Sequence, residues 1–255
     1  MLDPLAAFRL DGRTAVVTGA SSGLGRRFAQ VLAGAGATVV VTARRSEALD
    51  ELAAELPGGI ALAGDITSAS HRSALVELAL ARTGRLDVVV NNAGIVDNAP
   101  ALELGLDEFR QVLEVNLTAV FALAQLAGRE MIASGRGGSI VNVASVLGLV
   151  GVGQIPQTAY VASKAGVVNL SRELAAQWAR RGVRVNALCP GWFPSEMTEA
   201  MFADESGRAW LARKVPMGRG GESGELDGAV LYLASDASAY TTGITLTVDG
   251  GYTAV

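Results

Sequence analysis

Short apolar runs alternate with helical stretches along the chain, and this alternation restricts the fold more than any other feature. Runs at 14–18 (TAVVT), 38–42 (TVVVT), 60–63, 86–90, 139–143 (SIVNV), 184–188 (RVNAL) and 244–248 read as strands. Between them, 28–35, 46–56, 68–82, 106–133, 158–180 and 223–234 have helical character. Gly34 and Gly36 stop the first of these, Pro57 and Gly58 the second, and Gly84 the third, which Thr67 or Ser68 caps. Strands that alternate with helices build right-handed βαβ units, so a parallel sheet covered on both faces is expected. No linker or composition shift divides the sequence, which predicts one α/β domain over 1–255.

Composition narrows the partners. Half of the 255 residues are hydrophobic, which excludes a disordered chain. Only 18% are charged, so much surface must be buried in a parallel sheet or between subunits. A net charge of −4 gives no general attraction to phosphate backbones, so no nucleic acid is expected. No run of apolar residues is long and uninterrupted enough for a membrane span. The opening MLDPLAAFRLDGR lacks a basic stretch followed by an apolar core, so no signal peptide is read. A single cysteine, Cys189, cannot make an internal disulfide and fits a reducing, cytoplasmic compartment. One histidine and one cysteine do not assemble a zinc site, and no metal is expected. His71 reads as a surface residue and Cys189 as a packing residue.

The loop TGASSGLG at 18–25 stands between a predicted strand and a predicted helix. Gly19 permits a tight turn, Gly23 lets backbone approach a pyrophosphate, and Gly25 permits close helix packing. Ser21, Ser22 and Leu24 complete the loop, and the following helix start offers free N–H groups to phosphate. Asp65, after the third strand, could accept a bond from an adenine amino group or serve as a helix-start acid. Asn92, Ala93 and Gly94, after the fourth strand, could line a cofactor crevice or form a plain turn.

Tyr160 and Lys164 stand one helical turn apart and share a face. An ammonium near a phenol lowers its pKa, and a phenol so tuned can exchange a proton with a carbonyl oxygen. Ser145, just past a strand, has a hydroxyl able to orient the same oxygen. Together TGASSGLG, Asp65, NNAG, Asn116 in EVNLTA, Ser145, YVASK (160–164), PG at 190–191 and VDGGY at 248–252 resemble the short-chain dehydrogenase/reductase family. The resemblance spans nearly the whole chain and is to the branch of roughly 250-residue members, similar to the 3-oxoacyl-carrier reductases.

That resemblance implies a doubly wound Rossmann fold with a seven-stranded parallel sheet. It implies Tyr160 as general acid and base, Lys164 as ribose ligand and modulator of Tyr160, and Ser145 as holder of the substrate oxygen. Asn116 would kink its helix and hold a water that relays protons to Lys164. Gly19, Ser21 to Gly25, Asp65, Ile66, Asn92 to Gly94, Pro190, Gly191 and Trp192 would border the cofactor.

The second strand ends in Ala43, Arg44 and Arg45, where an acid would favour NAD(H). Guanidinium groups suit a 2′-phosphate, so NADP(H) is expected, with NAD(H) as the alternative. The segment 190–221 mixes aromatic, Met and polar residues and is expected as a substrate lid, pointing to a substrate with an apolar moiety. The leading function is reduction of a ketone or oxidation of a secondary alcohol. A 3-oxoacyl-thioester reductase, with Arg208, Arg213, Lys214 and Arg219 meeting an acidic carrier, is one alternative. A polyol or sugar-acid dehydrogenase is another, and a cofactor-binding regulator without turnover is the rival of a different class. Family resemblance further suggests a homotetramer built on the helices 106–133 and 158–180.

Overall fold

A computed structural model describes residues 3–255. The strands are β1 (Thr14–Thr18), β2 (Thr38–Ala43), β3 (Ile60–Ala63), β4 (Val88–Asn91), β5 (Gly138–Val143), β6 (Val183–Pro190) and β7 (Thr245–Val248). They form one seven-stranded sheet in the order β3-β2-β1-β4-β5-β6-β7, and every pairing is parallel. The order reverses between β1 and β4, and such a switch point opens a crevice at the carboxyl ends of the strands.

The strand residues divide by parity, as a pleated strand requires. Val17, Val39 and Val41 face a core layer with Phe28 and Leu32 of α1 (Gly23–Gly34), Leu49 and Leu52 of α2 (Ser46–Glu55), and Val230 and Leu233 further along. Val16, Val40, Val89 and Ile140 face the opposite layer, with Leu75 and Ala79 of α3 (Ala69–Thr83). Ser68 caps α3 through the N–H of His71, and Gly84 ends it in the left-handed region.

The next helical stretch has three parts: α4 (Leu106–Leu113), a π turn (Glu114–Thr118) and α5 (Ala119–Ala133). Taken whole, Leu106–Ala133 is long and apolar enough to cross a membrane, although charged residues interrupt its apolar run. Leu123, Ala124, Ala127 and Met131 are buried against the sheet, so this face has its partner within the fold. Helix α6 (Thr158–Trp178) lies beside it, with the Trp178 ring close to Gly128. Beyond β6 come α7 (Glu199–Ala203), α8 (Glu205–Lys214) and α9 (Asp227–Ala234).

His71 departs from the surface position expected of it. It is half-buried, and its Nε2 lies 2.8 Å from Thr42 Oγ1. Burial pushes its pKa down. Cys189 is buried, as expected of a packing residue, and burial raises its thiol to about 11.

Candidate active site

A cavity of about 1360 Å³ opens at the carboxyl ends of the strands, around the switch point. Its walls include every residue that the sequence associates with cofactor binding, from Gly19 to Trp192, together with Ser145. Asn116 is absent from the walls and fully buried.

The glycine loop is shaped from beneath by β4. Gly19 has φ +66°, and a Cβ there would come within 2.8 Å of Ala93 Cα. A Cβ on Gly25 would overlap the Gly19 carbonyl, so this glycine lets the helix close onto the loop itself. Thr18 Oγ1 accepts bonds from the N–H groups of Asn92 and Ala93, each at 3.0 Å. Asn92 Nδ2 donates to the carbonyls of Thr18 and Gly19 at 3.0 and 3.2 Å. Asn92 thus clamps the loop, and Thr18 is a contributor that the sequence analysis passed over. The cradle that results has glycines at 19 and 23 and a helix N-terminus behind it, which fits a pyrophosphate.

Asp65 does not serve as the helix-start acid: Ser68 caps α3, and Asp65 closes the turn before it. Its Oδ1 accepts from the N–H and hydroxyl of Thr67 at 2.8 and 2.9 Å, and these bonds lower its pKa. Its Oδ2 carries no hydrogen bond among the described residues, leaving an acceptor on the cavity wall.

Tyr160 and Lys164 project from the first turns of α6. Lys164 Nζ donates to the Val143 carbonyl at 2.8 Å and lies 5.5 Å from the centre of the Tyr160 ring. Ser145 follows β5, and its Oγ accepts from the Leu147 N–H at 3.1 Å. Burial pushes Lys164 down to about 8. Burial also raises the Tyr160 phenol, and the Ser145 hydroxyl nearby offsets this only in part. The lowered phenol pKa expected from the Tyr-x-x-x-Lys spacing is therefore not found. Desolvation disfavours charge on both partners and is the largest influence on each.

Asn116 is held from three sides. It sits in the π turn, so the local break in its helix is present. Its Oδ1 accepts from the Ile95 N–H at 2.8 Å, and its Nδ2 donates to the Ile95 carbonyl at 2.8 Å and Ser163 Oγ at 3.1 Å. Both amide protons are spent on protein partners, while Oδ1 keeps a second lone pair free to accept. What it does is pin the loop after β4 to α6.

Further groups brace the site, of which Asp97 escaped the sequence reading. Buried Asp97 accepts from the N–H groups of Ala159 and Tyr160 at the start of α6. Asn91 Nδ2 donates to Asn142 Oδ1, and Asn142 Nδ2 to Ser171 Oγ, each at 2.9 Å, tying β4, β5 and α6 together. Beyond β6, Trp192 packs edge-on against Trp210 and Tyr252, with centroids at 5.2 and 5.9 Å.

A parallel sheet with a glycine loop at its switch point, and a tyrosine and lysine on one helix face beside it, defines a dinucleotide-dependent oxidoreductase. Residues 19–253 match the family model described as enoyl-(acyl carrier protein) reductase. The chain is 37% identical over 252 residues to 2-dehydro-3-deoxy-D-gluconate 5-dehydrogenase of Escherichia coli (strain K12), covering 98% of this chain and 99% of that protein. It is 44% identical over 248 residues to cis-4-hydroxycyclohexanecarboxylate dehydrogenase of Sinomonas cyclohexanicum, covering 95% and 97%. The crystal structure of gluconate 5-dehydrogenase from Burkholderia cenocepacia J2315, in complex with NADP and tartrate, superposes with a TM-score of 0.93 at 37% identity. That match covers 99% of this chain and 100% of the other. The chain belongs to the short-chain dehydrogenase/reductase family, and it is an NAD(P)-dependent oxidoreductase acting on the CH–OH/C=O pair.

Proposed function

We propose that the chain is an NADP(H)-preferring enzyme that interconverts a ketone and a secondary alcohol with Tyr160 as acid and base. The observation that carries this reading is the placement of Tyr160, Lys164 and Ser145 on the wall of the same cavity as the glycine loop. In reduction the Tyr160 phenol gives its proton to the substrate oxygen, and in oxidation the phenolate takes it back. Ser145, on the same cavity wall as the phenol, would fix the substrate oxygen beside it. Lys164, anchored on the Val143 carbonyl, holds a positive charge close to the ring as the phenolate forms. The nicotinamide, when bound, supplies or accepts the hydride at the substrate carbon.

Residues Gly19, Ser21, Ser22, Gly23, Leu24 and Gly25 would hold the pyrophosphate. Asp65 and Ile66 would border the adenine, and Asn92, Ala93 and Gly94 the inner ribose. Lys164 would reach the nicotinamide ribose, with Pro190, Gly191 and Trp192 beside the nicotinamide. Arg44 and Arg45 would take the 2′-phosphate, which supports NADP(H) over NAD(H). The NADP carried by the Burkholderia neighbour supports the same choice.

The segment 190–221 acts in this reading as the lid of the single domain. Trp192, Met197, Met201 and Trp210 give the cavity an apolar wall, which suits a substrate with an apolar moiety. Gln154, Gln157 and Arg213 also line it and favour a second reading, a hydroxy acid or polyol. The thioester alternative has less support. Arg219 is paired with Glu225 at 2.7 Å, and Arg208 donates to the Phe202 and Ala203 carbonyls, so two of its four cations are engaged. A homotetramer in the cytoplasm, with Leu106 and Phe121 exposed for an interface, completes the proposal.

NADPH and NADH oxidation, followed by absorbance with cyclic ketones, keto-sugars, keto acids and β-keto thioesters, tests the reading. Turnover with a ketone class and a preference for NADPH is expected. Tight NADPH binding without turnover in either direction on any class would favour the regulator.

A further inference from the structure

Glu196, on the loop between β6 and α7, reaches across the cavity mouth to Arg45 beyond β2. Arg45 Nη1 donates to Glu196 Oε1 at 2.8 Å. The rest of the guanidinium spreads over the glycine loop. Its Nε and Nη2 donate to Ser21 Oγ at 3.2 and 3.0 Å, and Nη2 donates to Ser22 Oγ at 2.8 Å. The end of β2, the glycine loop and the segment after β6 therefore meet on one cation. The meeting is close in the backbone too: a Cβ on Gly23 would lie 3.5 Å from Ser195 Cβ.

A guanidinium flanked by two serine hydroxyls at a helix start is a fitting receptor for a phosphate monoester dianion. Here one face of its fork is already taken by a carboxylate, and the Arg45 bond holds the Glu196 carboxyl below its ordinary pKa. Neighbouring Arg44 makes no hydrogen bond among the described residues, so Arg45 is the cation whose availability depends on the segment after β6.

We propose that Glu196 is a specificity-determining residue that competes with the cofactor 2′-phosphate for Arg45, and that the phosphate, on binding, releases the Glu196 tether. The proposal rests on the NADP(H) reading above. A cofactor without that phosphate leaves the Arg45–Glu196 pair intact. A cofactor with it displaces one anion by another and frees the segment 190–221 from the glycine loop. Glu196 thus lowers the affinity for NADPH while leaving NADH unaffected. Both side chains are more than half exposed, so the effect is that of a surface pair, about twofold to fivefold in Kd.

The test is calorimetric titration of wild type, Glu196→Gln and Glu196→Ala with NADPH, NADH and 2′,5′-ADP. Melting temperatures establish that the variants are folded. Wild type should bind NADPH more tightly than NADH. Both variants should tighten NADPH and 2′,5′-ADP by about twofold to fivefold and leave NADH unchanged. Equal shifts for NADPH and NADH would make Glu196 a simple loop tether and overturn the proposal, as would unchanged or weaker NADPH binding. A wild type indifferent to the 2′-phosphate would defeat the NADP(H) reading itself, and the competition with it.

Discussion

The backbone N–H of Tyr160 donates to Asp97 Oδ1 at 2.9 Å, so a buried carboxylate from the loop after β4 holds the helix turn that carries the phenol. Its Oδ2 accepts from the Ala159 N–H at 3.2 Å. Two of the N–H groups that a helix start leaves free are thereby satisfied by one side chain. Asp97→Ala should cost about 1–2 kcal/mol in urea unfolding. It should also lower kcat more than it raises KM, because the phenol loses its position while the cofactor walls remain. Asp97→Asn retains one acceptor and should lie between. An Asp97→Ala enzyme with wild-type kcat would remove Asp97 from the positioning of Tyr160.

Much of this frame is legible in the sequence, for identifiable reasons. Strands β1 and β3 span the predicted residues because β-branched or apolar runs end there at glycines. Helix α1 begins at Gly23, five residues ahead of the predicted 28. The loop glycines are themselves its first turn, and glycine's poor helix propensity hides that start. The chemistry-bearing positions are legible because they lie on short motifs at strand ends. The contacts of Asp97 and Glu196 are not, since their partners lie 63 and 151 residues away and no local periodicity records them. The raised phenol pKa was missed for a related reason: spacing places the ammonium, but burial is a property of the whole fold.

Lys164 sets a pH limit. Its ammonium is lost as pH rises through about 8, so kcat/KM of the free enzyme should fall above that pH. The same shift acts on stability. The unfolded lysine keeps its proton up to about 10.5 and the folded one only to about 8, so the unfolded chain binds more protons between these values. This group's contribution therefore makes stability rise with pH in that window. At pH 7 the burial of the charge costs about 3 kcal/mol, and the bond to the Val143 carbonyl offsets about 1 of it. Lys164→Met should gain about 2 kcal/mol in urea unfolding while abolishing turnover. A destabilised Lys164→Met would show that the ammonium is better accommodated than its burial indicates.

Arg44 lines the cavity at the end of β2, exposed and without a hydrogen bond among the described residues. Arg44→Asp places a carboxylate where the 2′-phosphate would lie. It should weaken NADPH by about tenfold to a hundredfold and leave NADH within about threefold, read from the two KM values at fixed ionic strength. An unchanged NADPH/NADH ratio would move the 2′-phosphate site away from β2.

The most direct measurement is Tyr160→Phe, with turnover and NADPH binding determined on the same preparation. The ring still fills its half-buried place on α6, and only the hydroxyl is removed. Turnover should fall by about a hundredfold to ten-thousandfold while the Kd for NADPH stays within about twofold, as the loss of a general acid requires. Turnover retained at the wild-type level would contradict the assignment of the proton transfer to Tyr160.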